Sequence, residues 1–113
     1  MSEDCLNLNL YLPTKPAPPG GFPIMLFFYG GSWKEGAASF LLYDADSDVT
    51  MMEDVVFITA NYRLGAFGFL ASEDLRSGDP GNSTGNYGFQ DQRLAMQWAR
   101  ANAPYFNGNP DKL

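Results

Sequence analysis

Residues 5–12, Cys-Leu-Asn-Leu-Asn-Leu-Tyr-Leu, alternate apolar and polar positions with a period of two, which predicts a strand with one buried face. Pro13 ends it, and Lys15 to Pro23 reads as a Pro/Gly-rich surface turn. Ile24 to Tyr29 is an unbroken apolar run that predicts a strand buried on both sides, stopping at Gly30-Gly31. Residues 36–54 read as a loop with a short helical piece. Val55 to Ala60 is a second apolar run, β-branched and too short for a helix. Two such runs joined by a crossover of about 25 residues predict a parallel sheet in an α/β fold.

Residues 71–88 mix Gly and Pro with Ser, Asp and Asn and read as a long loop. A helix follows over Tyr87 to Asn102, with Asn86 as N-cap and Pro104 disfavouring continuation. Its buried stripe is expected to hold Asp91, Leu94, Trp98 and Ala101, at spacings of three and four. Asp91 is the odd member. A carboxylate on an apolar face needs a partner, and Arg63, just past the second buried run, is the best candidate; at the rim of the stripe water would serve instead. If the two pair, both are expected to be buried under the helix, and Asp91→Ala would cost about 3–5 kcal/mol.

The chain has 113 residues, enough for one small domain at most. Thirteen Asp and Glu against seven Lys and Arg give a net charge of −6, which argues against nucleic acid as a partner. No apolar run reaches the ~18 residues of a membrane helix, and Met-Ser-Glu-Asp-Cys at the start lacks a signal-peptide pattern. Cys5 is the single cysteine, so no internal disulfide forms, and the absence of histidine removes the commonest general base.

Three local motifs invite chemistry. Gly81-Asn82-Ser83-Thr84-Gly85 matches G-x-S-x-G, but a nucleophile elbow needs a strand before the serine, and Arg76 to Pro80 is a loop. Ser83 is read as a loop serine. Asp44-Ala45-Asp46-Ser47-Asp48 imitates the start of a calcium loop, yet valines 49 and 55 stand where glycine and glutamate are required, so no metal is expected. Asn82-Ser83-Thr84 is an N-glycosylation sequon in a loop.

Taken in order, the blocks resemble the type-B carboxylesterase/cholinesterase family of α/β-hydrolases. Glu3-Asp4-Cys5-Leu6-Asn7-Leu8-Asn9 is similar to E-D-C-L-x-L-N, and Tyr29-Gly30-Gly31-Ser32-Trp33 to the glycine-rich oxyanion loop. Asn61-Tyr62-Arg63-Leu64-Gly65 with Gly68-Phe69-Leu70 resembles N-Y-R-L-G-x-x-G-F-L. Gly85-Asn86-Tyr87-Gly88 and Asp91-Gln92-Arg93-Leu94-Ala95 resemble G-N-x-G-L-x-D-Q-R-x-A, and Phe106 to Pro110 is similar to F-G-G-D-P with two substitutions.

The resemblance implies a partial α/β-hydrolase fold over residues 1–113, contributing early strands and the first crossover helix. It implies a parent that hydrolyses carboxylic esters through a serine acyl-enzyme, with no cofactor or metal and an ester as its partner. The amides of Gly31 and Ser32 would line the oxyanion hole, Trp33 the acyl pocket or gorge wall, and Arg63 with Asp91 the scaffold. Ser32 replaces the family's usual third glycine, which keeps an amide donor but adds a side chain that could crowd the site or restrict the loop. The catalytic serine, acid and histidine would lie beyond Leu113, and a cysteine before Met1 would bridge to Cys5, so an internal fragment is expected. The parent would be secreted or in the secretory pathway. The alternatives are a fragment of a non-catalytic cholinesterase-like adhesion or structural protein, or a truncated gene model without independent activity. In the family's sheet Ile24 to Tyr29 would lie between Val55 to Ala60 and the nucleophile strand, so its outer edge is expected to be open and to promote self-association of the fragment.

Overall fold

The computed structural model describes residues 2–40 and 54–113. Three strands, β1 (Leu8–Tyr11), β2 (Ile24–Phe27) and β3 (Val56–Ala60), form one sheet in the order β1-β3-β2. β2 runs parallel to β3, with Ile24 beside Val56 and Phe27 beside Thr59, as the two apolar runs predict. β1 is antiparallel to β3, with Leu8 opposite Ala60 and Tyr11 opposite Phe57. The sheet is therefore mixed rather than all parallel. A strand with alternating polarity suits an edge, where one face stays wet, and an antiparallel edge is common on such sheets.

β1 is also shorter than residues 5–12. The amides before it close local bonds instead of ladder bonds, Cys5 N–H to the Glu3 carbonyl and Asn7 N–H to the Cys5 carbonyl, each at 3.0 Å.

The register sorts the sheet into two faces. Leu8, Leu10, Ile24, Leu26, Val56 and Ile58 meet Ala99, Ala103 and Phe106 in the main core. Tyr11, Met25, Phe27 and Phe57 share the other face with Asn9 and Thr59. Met25 there is 52% exposed. Ile24 to Tyr29 is thus buried on one side, because the helical layer that covers Ile24 does not reach Met25. Along the outer edge of β2, Ile24 N–H donates to the Lys112 carbonyl at 2.8 Å, and Phe22 bridges to Gly108. The edge is capped at its start, and no described strand pairs with it beyond Ile24.

Three helices follow: α1 (Gly65–Phe69), α2 (Glu73–Gly78) and α3 (Tyr87–Asn102), the last continuing into a 3₁₀ turn, Ala103–Phe106, with Pro104 in its first positions. α2 falls inside the span read as loop. Its start is fixed locally: the Ser72 hydroxyl accepts from Leu75 N–H at 3.1 Å, and Glu73 and Asp74 sit in the first turn, where the helix dipole favours them. Those signals outweigh the surrounding Gly and Pro.

α3 has the expected bounds but a different buried face. Gly88, Asp91 and Ala99 are buried, whereas Leu94 is 60% exposed, and Trp98 and Ala101 are exposed. Small side chains at Gly88 and Ala99 let the helix approach closely, and the large apolar residues turn outward. Asn86 occupies the N-cap but makes no side-chain cap bond, because its backbone is left-handed at φ 57°. The loop with a helical piece expected within 36–54, and the acidic run Asp44 to Asp48, lie outside the described residues except at the ends of the span.

Gly88 is the tightest of these contacts. A Cβ there would stand 2.5 Å from the Arg63 carbonyl oxygen and 2.7 Å from the Phe69 ring, backbone and packed aromatic that cannot yield cheaply. Gly78, in α2, has open space around it. Gly88→Ala is expected to destabilise the chain by about 1–3 kcal/mol in urea denaturation, and Gly78→Ala to change it by no more than about 0.5 kcal/mol.

Candidate functional site

The segment after β2 turns sharply at Gly31. Lys34 N–H and Glu35 N–H both donate to the Gly31 carbonyl, at 3.0 and 3.3 Å. Gly31 has φ 141°, and a Cβ on it would overlap the Glu35 carbonyl oxygen, so only glycine fits. Ser32 and Trp33 follow at φ 54° and 60°. Consecutive left-handed residues with side chains cost about 1–2 kcal/mol each, so the turn must be held from outside. Among the described residues, the amides of Gly31 and Ser32 donate to nothing.

The holding residues are the block Asn61–Gly65 that leaves β3. Asn61 Oδ1 accepts from Ala38 N–H at 2.9 Å, fixing the chain beyond the turn, and its Nδ2 donates to Asn7 Oδ1 at 2.7 Å. Tyr62 and Tyr29 stack with centroids 4.7 Å apart, and each hydroxyl donates to the other's backbone carbonyl, Tyr62 at 2.7 Å and Tyr29 at 3.2 Å. Burial pushes the Tyr29 phenol above its ordinary pKa. Gly65 N–H donates to the Trp33 carbonyl at 2.7 Å. The turn is therefore fastened before, within and after its strained residues.

Trp33 is 54% exposed. Its indole meets Phe69 of α1 and Phe89 of α3 edge to face, at 6.4 and 6.2 Å, and those two rings meet at 5.4 Å. Edge-to-face rings at these spacings are favourable beyond their burial. An exposed aromatic surface thus adjoins two unengaged amides.

Behind the turn, Asp91 accepts three bonds from Arg63: from its backbone N–H at 3.0 Å, from Nε at 2.8 Å and from Nη2 at 2.8 Å. The hydrogen bond to Asp91 raises the guanidinium pKa, and Tyr87 lies under the cation at 5.5 Å. The expected pair is present, but only half of it is buried. The Asp91 side chain is 6% exposed and that of Arg63 is 38% exposed, because the guanidinium reaches the carboxylate from the surface. Cys5 is a half-buried free thiol within electrostatic reach of Arg63 and Tyr29.

Ser83 sits between α2 and α3 with no strand before it. Its N–H donates to Asp79 Oδ2 at 2.9 Å and its hydroxyl accepts from Gln90 Nε2 at 3.1 Å. An open groove between Leu6–Leu8 and Leu94 and Trp98 of α3 reaches Asn61 and Asp91 but none of Gly31, Ser32 and Trp33. Among the described residues no three His, Cys, Asp or Glu side chains gather as metal ligands would. The resemblance singled out Gly31, Ser32 and Trp33, and the helix pattern Arg63 and Asp91, but neither the fastening roles of Asn61, Tyr62 and Gly65 nor Phe69 and Phe89 beside the indole. The legible signal was two tyrosines, Tyr29 and Tyr62, each two residues beyond the end of a parallel strand.

This arrangement of a parallel strand pair, a glycine turn after the first strand and a long helix pinned behind it is part of an α/β-hydrolase fold. The crystal structure of Aspergillus niger EstA matches it with a TM-score of 0.78 at 38% identity, over 98% of this chain and 20% of that one. A sequence model of the carboxylesterase family matches residues 1–113, and the chain belongs to that family. Acetylcholinesterase of Danio rerio is 42% identical over 113 residues, 100% of this chain and 17% of its own length. Carboxylesterase 5A of Mus musculus is 40% identical over 113 residues, 100% of this chain and 18% of its own. The chain thus spans about a fifth of the length of the relatives it matches.

The asymmetry of the ion pair sets the outcome of cutting it. Arg63→Ala leaves a buried carboxylate with only a backbone donor, and about 3–5 kcal/mol of stability should be lost. Asp91→Ala leaves an arginine that water can reach, and the loss should be smaller, about 1–3 kcal/mol. Thermal or urea unfolding of the two variants gives the order; equal losses would place the cation and carboxylate in the same environment.

Proposed function

We propose that these residues supply the oxyanion turn and its support to a carboxylic ester hydrolase that works through a serine acyl-enzyme. The observation that carries this reading is the turn itself: two adjacent amides, Gly31 and Ser32, without an acceptor among the described residues, held in a strained geometry by Asn61–Gly65. Preorganised N–H groups are what a tetrahedral oxyanion needs, because they require no reorganisation as charge develops. Trp33, with Phe69 and Phe89, offers an apolar wall beside those donors for the acyl or alkoxy part of an ester substrate. Family membership and the turn support this reading together.

The nucleophile, acid and base come from outside these residues. The chain contains no histidine, and Ser83 follows a turn rather than a strand. We assign the whole protein to the secretory route on the strength of its family membership.

Two arms test the reading. The 113-residue chain alone should hydrolyse p-nitrophenyl esters no faster than its Ser83→Ala variant. In the protein that carries this segment with a complete triad, Gly31→Ala should lower kcat by about 10²–10³-fold with little change in KM. Turnover by the chain alone, lost in Ser83→Ala, would sink the first claim, and an unchanged kcat in Gly31→Ala the second.

The isolated chain should also associate with itself. Met25, Phe67, Leu94 and Tyr105 are exposed large apolar side chains, and no described strand pairs with the outer edge of β2 beyond Ile24. Size-exclusion chromatography over a concentration series should show mass rising with concentration. A sharp monomer peak with one cooperative thermal transition is the contrary result.

A further inference from the structure

The loop between α2 and α3 holds an acceptor sequence, Asn82-Ser83-Thr84, that the esterase reading leaves without a role. Asp79 shapes the loop: its Oδ2 accepts from Gly81 N–H and Ser83 N–H, both at 2.9 Å, and its carbonyl accepts from Asn82 N–H at 2.9 Å. The two hydroxyls of the motif are already engaged in packing. Thr84 Oγ1 accepts from Ser72 N–H at 3.1 Å, tying the loop to the start of α2, and Ser83 Oγ accepts from Gln90 of α3.

The Asn82 side chain differs from both. The residue is exposed, and its carboxamide has no hydrogen-bond partner among the described residues. Its backbone lies at φ 52°, a conformation that favours Asn but accepts Gly equally well. The left-handed turn therefore accounts for a small or polar residue at this position, not for a free carboxamide two residues ahead of a threonine. A bulky group on Nδ2 would displace no side-chain hydrogen bond among the described residues.

We propose that Asn82 is an N-glycan attachment site, modified when the chain enters the lumen of the secretory pathway. In the reaction Asn82 Nδ2 bonds to C1 of the reducing-end N-acetylglucosamine of a lipid-diphosphate-linked oligosaccharide. The C1–O bond to the diphosphate breaks, the lipid diphosphate leaves with that electron pair, and one amide proton passes to a base. The proposal stands apart from the esterase reading, since it needs lumenal entry but no catalysis by this protein.

The test expresses the full chain behind a cleavable secretory leader in eukaryotic cells and maps peptides from the total denatured lysate. Transfer acts on the entering chain, so misfolding afterwards does not hide the result. Loss of the leader shows that the chain reached the lumen. The expected result is a single glycan whose removal by peptide N-glycosidase leaves aspartate at position 82. Asn82→Gly and Thr84→Ala should abolish it, while Thr84→Ser should retain it. Leader-cleaved chain with an unmodified Asn82, or a glycan that survives in Asn82→Gly, would overturn the proposal.

Discussion

One buried carboxylate governs how the long helix sits. Asp91 is 7% exposed, and an ion so placed is tolerated only when its oxygens are fully met by donors. Arg63 meets them from three directions, two through the planar guanidinium and one through its own amide. Because one of those donors is backbone, the helix is registered against the main chain just beyond β3 and not merely against a flexible side chain. That register brings Gly88 over the Arg63 carbonyl and carries Phe89 to the indole of Trp33. The face turned toward Arg63 carries Gly88, Asp91 and Ala99, while the larger Leu94 and Trp98 stay exposed.

The same five residues that provide Arg63 also secure the glycine turn. Asn61 holds the chain after the turn, Tyr62 holds the strand before it, and Gly65 holds Trp33 in the middle. Strain at Ser32 and Trp33 persists because its surroundings over-determine it. The helix, the turn and the aromatic trio are therefore one connected unit hung from the end of the central strand.

The parts legible in the sequence were those set by local periodicity. The two apolar runs gave a parallel pair, and α3 appeared with its observed bounds, because hydrophobic pattern and length settle such elements. The face of α3 was misjudged because a helical stripe does not show that the Arg63 bonds to Asp91 and the close approach at Gly88 decide which side turns inward. β2 was read as fully buried because an apolar run does not reveal whether its second face has a covering layer. Asn86 resembles a cap in sequence, but the left-handed turn uses it for its backbone. The same logic explains the two departures in Phe-Asn-Gly-Asn-Pro. Asn107 adopts φ 59°, where asparagine is the best substitute for glycine, and Asn109 Oδ1 accepts from Asp111 N–H at 2.9 Å, as an aspartate would.

The central claim is that, among the described residues, Arg63 alone satisfies Asp91, so that the two act as a unit. A double-mutant cycle measures this directly, using urea unfolding of the parent chain, the two alanine variants and the double variant. The account predicts a coupling of about 1–3 kcal/mol, with the double variant far less damaged than the sum of the singles. Losses that simply add, within about 0.5 kcal/mol, would mean that water or another group holds the carboxylate and that the pairing does not register the helix.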